Sequence, residues 1–187
     1  MRILYRGNHQ PDMDESVRFS TEWHFGESLR LLGHEVVRVH EKTDSWDETI
    51  RKADGCDLFL WTSTWPFAAS WPASEAFRSV AYLGERMPTV AAHLDRWWGL
   101  AREQEVTDRR RGNAMFRCRW VFTADGDHDD AWARYDINHR WLPPGIYAPD
   151  VYRGTPRPEY AADVAFVGSH AGYTHAEHWP TRLAVLD

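Results

Sequence analysis

Short apolar runs alternate with helix-patterned stretches from residue 2 to residue 145, and no other feature so limits what this chain can fold into. Residues 2–6 read as a first strand, with Gly7-Asn8 as its turn. Over residues 16–32, Val17, Thr21, His24, Phe25, Ser28 and Leu32 recur at three- and four-residue spacing. That stripe predicts a helix packed on a sheet, and Gly33 is its stop. Residues 35–40 read as strand two, 44–53 as a polar helix and 57–61 as strand three. Trp65-Pro66 and Trp71-Pro72 then break the chain, because proline lacks a donor and restricts its neighbour. Ser74 is placed to cap a helix running to about residue 86. Strand four follows at 88–94, two short helical stretches around 98–116, strand five at 120–123, a helix at 127–135 and strand six at 139–142. This alternation predicts an α/β fold: a Rossmann-like parallel sheet with helices on both faces. Such sheets bind ligands beyond the carboxyl ends of their strands. The residues to inspect are therefore Gly7, Asn8, His9, Thr62, Ser63, His93, Asp95, Asp125 and the turn at Gly168-Ser169-His170.

After Pro143-Pro144-Gly145 the pattern changes. Residues 146–160 are rich in Pro, Gly, Tyr and Asp without periodicity, as an interdomain linker is. Ala161-Ala162-Asp163-Val164-Ala165-Phe166-Val167 is a buried-strand run that ends in the Gly168-Ser169 turn. A helix at 176–186, interrupted near its start by Pro180, follows it. The expected organisation is an N-terminal domain at 1–145, a linker at 146–160 and the opening strand and helix of a second α/β domain at 161–187.

Eleven Trp in 187 residues exceed ordinary usage. Some belong in the core, and a few are expected along a cleft, where a flat indole suits sugar rings and bases. The net charge of −6 is uneven, because Arg109, Arg110, Arg111, Arg117 and Arg119 fall close together. This disfavours a general nucleic-acid or membrane coat and leaves two readings of the cluster, a local anion patch or a solvated helical face. Cys56 and Cys118 are isolated and fit a reducing cytoplasm. The chain opens on a strand and has no apolar run of ~18 residues, so neither a signal peptide nor a membrane span is expected.

Two segments carry a resemblance. One is Arg140-Trp141-Leu142-Pro143-Pro144-Gly145-Ile146, followed by Tyr147-Ala148-Pro149. The other is Asp163-Val164-Ala165-Phe166-Val167-Gly168-Ser169, followed by Trp179-Pro180-Thr181-Arg182-Leu183. In this order they resemble the hinge of GT-B glycosyltransferases, closest to the CgeB-type and family-4-like enzymes. The resemblance implies that the N-terminal domain binds an acceptor and the C-terminal domain a nucleotide-sugar donor. It also implies that no metal is needed. Most of the donor domain, with its ribose-holding acidic residue, would lie beyond residue 187, which would leave this chain inactive alone. The acceptor stays open among a glycan, a small aglycone, a protein and a modified DNA base.

Each candidate residue has two readings. The Gly168-Ser169-His170 turn suits phosphate oxygens, and the resemblance sets it against the donor diphosphate with Arg182 adding charge. Equally, Gly168 permits a tight strand–helix connection. His93 and Asp95 alternate onto one side at the end of strand four, where a transferase needs a base for the acceptor hydroxyl. The alternative is a packed His and a capping Asp. Gly7-Asn8-His9 lacks the G-x-G-x-x-G pattern of dinucleotide sites and reads as an acceptor-side loop or as plain surface. Thr62 joins it from the end of strand three. Trp97 and Trp98 are adjacent after a strand and are not expected to enter one core together, so one is expected as a stacking platform. The acidic run at 125–130 reads as a helix start rather than a metal site. His170, His175 and His178 match no zinc spacing. Beside the transferase stand a glycan- or nucleotide-binding module without turnover, one half of a split glycosyltransferase, and another α/β enzyme acting on a nucleotide.

Overall fold

The computed structural model describes residues 1–8, 21–62, 73–94, 97–98, 103–107, 113–126, 128–143, 145 and 158. The chain divides into two units, Met1–Tyr147 and Ala148–Asp187. Apart from Pro158, the described residues belong to the first, so the expected linker and second-domain opening lie outside them.

Strands and helices alternate as the pattern predicts: β1 (Arg2–Gly7), α1 (Thr21–Leu31), β2 (Glu35–His40), α2 (Trp46–Lys52), β3 (Leu58–Thr62), α3 (Ala73–Gly84), β4 (Thr89–His93), α4 (Glu103–Thr107), a 3-10 turn (Ala114–Arg117), β5 (Trp120–Thr123), α5 (Asp129–Ala133) and β6 (His139–Trp141). The strands form one six-stranded sheet in the order β2-β1-β3-β4-β5-β6. Every neighbouring pair is parallel. The fold is Rossmann-like α/β. From β1 the chain steps outward to β2, then returns to β3 on the other side of β1. The order therefore reverses between β1 and β3, and the carboxyl ends of these strands, at Gly7 and Thr62, are where sheets of this topology generally bind ligands.

Local chemistry sets the boundaries. Gly33 takes φ +82°, which only glycine adopts freely. Its N–H donates to Arg30 O at 2.9 Å and that of His34 to Leu29 O at 3.1 Å, closing α1. Ser45 caps α2, its side chain accepting from Glu48 N–H at 3.0 Å. Ser74 does not stand ahead of its helix, because α3 already begins at Ala73.

Alternation along the strands divides the core in two. Leu4, Phe59, Trp61, Ala91 and Val121 face α2, α3 and α5, with Trp46, Leu83 and Trp132 in the same cluster. Ile3, Tyr5, Val36 and Leu60 face the other way and meet Phe25 and Leu29 of α1. Helices thus cover both faces, as expected. Arg6 enters the first core fully buried, its guanidinium 4.2 Å from the Trp46 ring. Its Nη1 donates to Thr49 Oγ1 at 2.6 Å and its Nη2 to Glu41 O at 3.0 Å. Burial lowers its pKa to about 10, which leaves it charged at neutral pH. Cys56 and Cys118 are free thiols, and burial pushes Cys118 up to about 12. Among the described residues no helix is long and apolar enough to cross a membrane.

Candidate functional site

Where β1 and β3 end, the sheet is polar beneath α1. The Tyr5 hydroxyl and Thr62 Oγ1 share a buried hydrogen bond of 2.9 Å that ties the two strands together. Burial raises the Tyr5 phenol above its ordinary range. The helix crosses close above this pair because Gly26 carries no side chain. A Cβ there would stand 3.1 Å from Arg38 Nη2 and 3.5 Å from Tyr5 Cε1.

One turn before Gly26 comes Glu22, in the first turn of α1. Its residue surface is only 3% exposed. Oε1 has no hydrogen-bond partner among the described residues. Burial raises its pKa, against its own backbone N–H and the charge of Lys42. The Glu22 charge also opposes ionisation of the Tyr5 phenol. A buried acid with an unused oxygen is costly, and such groups cluster where ligands bind.

Another side of α1 faces a pocket of about 230 Å³. Thr21, His24, Phe25 and Ser28 form the helix wall, one residue set at three- and four-residue spacing. Leu94 after β4, and Leu142, Pro143 and Gly145 after β6, form the strand-end wall. None of these described lining residues is Lys, Arg, Asp or Glu. The His24 ring stands edge-on to Trp23 at 5.5 Å.

The sequence candidates separate. Gly7 and Asn8 end β1, and Thr62 joins Tyr5, so these three lie at the β1/β3 switch point and not in the pocket lining. His93 closes β4 half-buried, its ring edge-on to Trp97 at 5.1 Å. It shares the strand face of Ala91, opposite α1, whereas Leu94 reaches the pocket. His9, Asp95, Gly168, Ser169, His170 and Arg182 lie outside the described residues, as do Arg109, Arg110 and Arg111. Arg117 and Arg119 are exposed.

Trp97 and Trp98 correct an expectation. Both are buried, at 3% and 8% exposure, and both enter the same core. Trp97 packs edge-on against Phe116 at 4.8 Å and Trp98 against Trp132 at 5.3 Å. Neither indole face is open to stack on a sugar. The reason is Asp125, whose buried carboxylate accepts from Trp97 N–H at 2.9 Å and from Trp98 N–H at 3.2 Å. With both amides drawn onto one acceptor, the chain curls and returns both side chains inward.

The same Asp125 heads a row of contacts across β5 and β6. Thr123 Oγ1 lies 2.9 Å from Asp125 Oδ2 and 2.9 Å from His139 Nε2. His139 Nδ1 lies 2.7 Å from Asp129 Oδ1, and the Trp132 ring stacks on the imidazole at 4.7 Å. Burial lowers the His139 pKa, against the pull of Asp129 and Asp125. Asp129 also lies in the first turn of α5, where an acid is favourable. Among the described residues no group of three or more His, Cys, Asp and Glu is arranged to hold a metal ion.

Sequence reasoning missed Glu22, Tyr5 and the pocket role of His24. The signal for His24 was present in the stripe Thr21, His24, Phe25, Ser28, which reads as core-facing until its strand-end wall is known. No protein-family model, curated protein or solved structure matches the chain.

Proposed function

We propose that this chain is the acceptor side of a glycosyltransferase. A neutral, hydroxyl-bearing acceptor binds in the pocket between α1 and the ends of β4 and β6. A nucleotide-sugar donor is held by the segment after residue 160. The observation that carries this reading is the chemistry of the pocket lining. Phe25, Leu94, Leu142 and Pro143 offer apolar walls, and Thr21, His24 and Ser28 offer hydrogen bonds. A sugar or small aglycone presents the same mixture of apolar faces and hydroxyl rims. A diphosphate calls for cationic forks, and the described lining supplies neither Lys nor Arg.

Transfer to a hydroxyl needs a base in reach of the acceptor. His24, on the pocket wall, now stands as that candidate beside Asp95, whereas His93 lies on the other face of the sheet. In this reading the amides of Gly168, Ser169 and His170, with Arg182, stabilise the departing diphosphate. The second reading is a glycan-binding module without turnover, which would use the same pocket.

Titration of the 187-residue chain with p-nitrophenyl glucoside and with UDP-glucose tests the reading. The aryl glucoside is expected to shift the ring resonances of His24 and Phe25, and Phe25→Ala to weaken its binding about tenfold, the size of one buried aromatic contact. Failure of the neutral glycoside to reach the pocket, or UDP-glucose filling it instead, would overturn the acceptor assignment. Transfer of glucose to the bound glycoside would exclude a module that only binds.

A further inference from the structure

We propose that Thr123 and Asp125 are positioning residues for the pocket, and that they set its strand-end wall according to whether His139 carries a proton. This control acts on the same pocket as the acceptor reading and rests on it for the ligand in one arm of the test. The other arm needs no ligand.

Leu94 and Leu142, which belong to the strand-end wall, are both tied to the end of β5. On one side, Leu142 N–H donates to Thr123 O at 2.8 Å. On the other, His93 pairs in register with Thr123, and Leu94 is the next residue. Three residues beyond Leu94, Trp97 N–H donates to Asp125 Oδ2 at 2.9 Å, and Trp98 N–H follows to Oδ1 at 3.2 Å. Both indoles are buried in the core, which keeps that end of the segment in place. Three residues span at most about 10 Å. Leu94 therefore lies on a short tether between two anchors, Thr123 and Asp125. A shift of the Asp125 carboxylate passes along it to the pocket wall.

The Asp125 carboxylate is in turn held by Thr123. The hydroxyl lies 2.9 Å from Asp125 Oδ2 and 2.9 Å from His139 Nε2, and also accepts from Asp125 N–H at 3.1 Å. His139 Nδ1 meets Asp129 Oδ1 at 2.7 Å, which leaves Nε2 of the neutral ring as an acceptor. The neutral ring therefore draws the Thr123 hydroxyl away from Asp125. The charged ring donates at Nε2 and turns the hydroxyl onto Asp125. Burial disfavours that charge, Asp129 of α5 and Asp125 beyond β5 favour it, and Arg140 on the same strand opposes it. The acidic form is thus the one in which the anchor of Trp97 and Trp98 is held most firmly.

The ligand-free test is NMR of the full chain, following the Leu94 methyls and the His139 ring from pH 7.5 to 5. Both are expected to titrate with one midpoint. Thr123→Val keeps the branched shape and removes the hydroxyl, and is expected to abolish the Leu94 step while His139 still titrates. Asp129→Asn, at a side chain 62% exposed, is expected to lower both midpoints together. A His139 that does not titrate in this range, a Leu94 that stays still while it does, or midpoints that part in Asp129→Asn would each overturn the control. So would a Leu94 step that survives in Thr123→Val. Should Thr123→Val not fold, wild type and Asp129→Asn decide the matter. In the second arm, p-nitrophenyl glucoside is bound at pH 7.5 and at pH 5. The gain in affinity on acidification is expected to be about fivefold larger in wild type than in Thr123→Val, a comparison in which His24 is common to both. Equal gains overturn control of binding. A glycoside that does not bind removes the acceptor reading and leaves the ligand-free arm to decide this one.

Discussion

On one face of the sheet, Trp46, Trp61, Trp97, Trp98 and Trp132 join a buried cluster that also takes in Phe59, Leu83, Met115 and Val121. On the other face, the buried cluster is Ile3, Tyr5, Val36 and Leu60, with α1 the helix laid over it among the described residues. Val90, Trp120 and Phe122 on that side are half-buried. The first face is dense and mainly apolar, yet it also buries Arg6, Thr123, Asp125 and His139 in hydrogen bonds, and the Trp98 and Trp132 indole nitrogens without a hydrogen-bond partner among the described residues. The second holds the pocket, the strand-joining hydroxyl pair and a buried acid with an oxygen unused. Most of the buried apolar surface lies on one side of a single sheet, and the pocket on the other.

The sharpest way to break that contrast is to truncate one aromatic on each face. Trp132→Ala removes a side chain that is fully buried and is expected to cost about 4 kcal/mol in urea unfolding. Phe25→Ala, from the half-buried α1 side, is expected to cost about 1 kcal/mol and to be felt chiefly in glycoside binding. Equal losses would dissolve the distinction between the faces. Next in size is Asp125→Ala, which strands the amides of Trp97 and Trp98 without an acceptor. We expect about 3 kcal/mol and a loosened near-UV tryptophan signal.

Acid response gives a finer comparison, because the two faces should respond in opposite directions. On the dense face, burial holds the His139 pKa below its ordinary 6.5. The unfolded chain then binds more protons, so stability attributable to His139 is intact above pH 6.5 and is lost as pH falls toward the folded value. His139→Gln is expected to flatten this fall in unfolding curves taken between pH 7.5 and 5. On the α1 face, burial holds the Glu22 pKa above its ordinary 4.5. Here the folded chain binds more protons, so stability is complete below pH 4.5 and declines as pH rises through the folded value. Glu22→Gln is therefore expected to be more stable than wild type at pH 7, by on the order of 1 kcal/mol, and no different at pH 4. A destabilised Glu22→Gln at pH 7 would contradict a strained, buried acid.

The strands were legible because burial on both faces writes them as short apolar runs. Ile3-Leu4-Tyr5 and Leu58-Phe59-Leu60-Trp61 leave little else to choose. Gly33 was legible because a left-handed helix stop demands it. The reversal of strand order between β1 and β3 was not, since parallel neighbours are selected by packing over long separations. Glu22 reads in sequence as one more solvated helix acid. Its burial follows from packing that the local sequence does not encode. Trp97 and Trp98 look incompatible with one core until Asp125, 28 and 27 residues onward, draws in both amides.

The row from Asp125 through Thr123 and His139 to Asp129 has a consequence in its proton count. Three contacts of 2.9, 2.9 and 2.7 Å each need one hydrogen. With the two carboxyl groups accepting and the imidazole neutral, the Thr123 hydroxyl and the His139 ring supply two. The geometry calls for a third, which would make the imidazole cationic, and burial opposes it. At neutral pH burial prevails, and the shortage falls on Thr123, whose single hydrogen must serve Asp125 or His139 by turns. Below the His139 pKa, Nε2 gains a hydrogen to donate to Thr123 Oγ1, and every contact in the row is filled. The outer edge of the sheet is therefore a short wire that is one hydrogen empty in neutral solution and complete in acid.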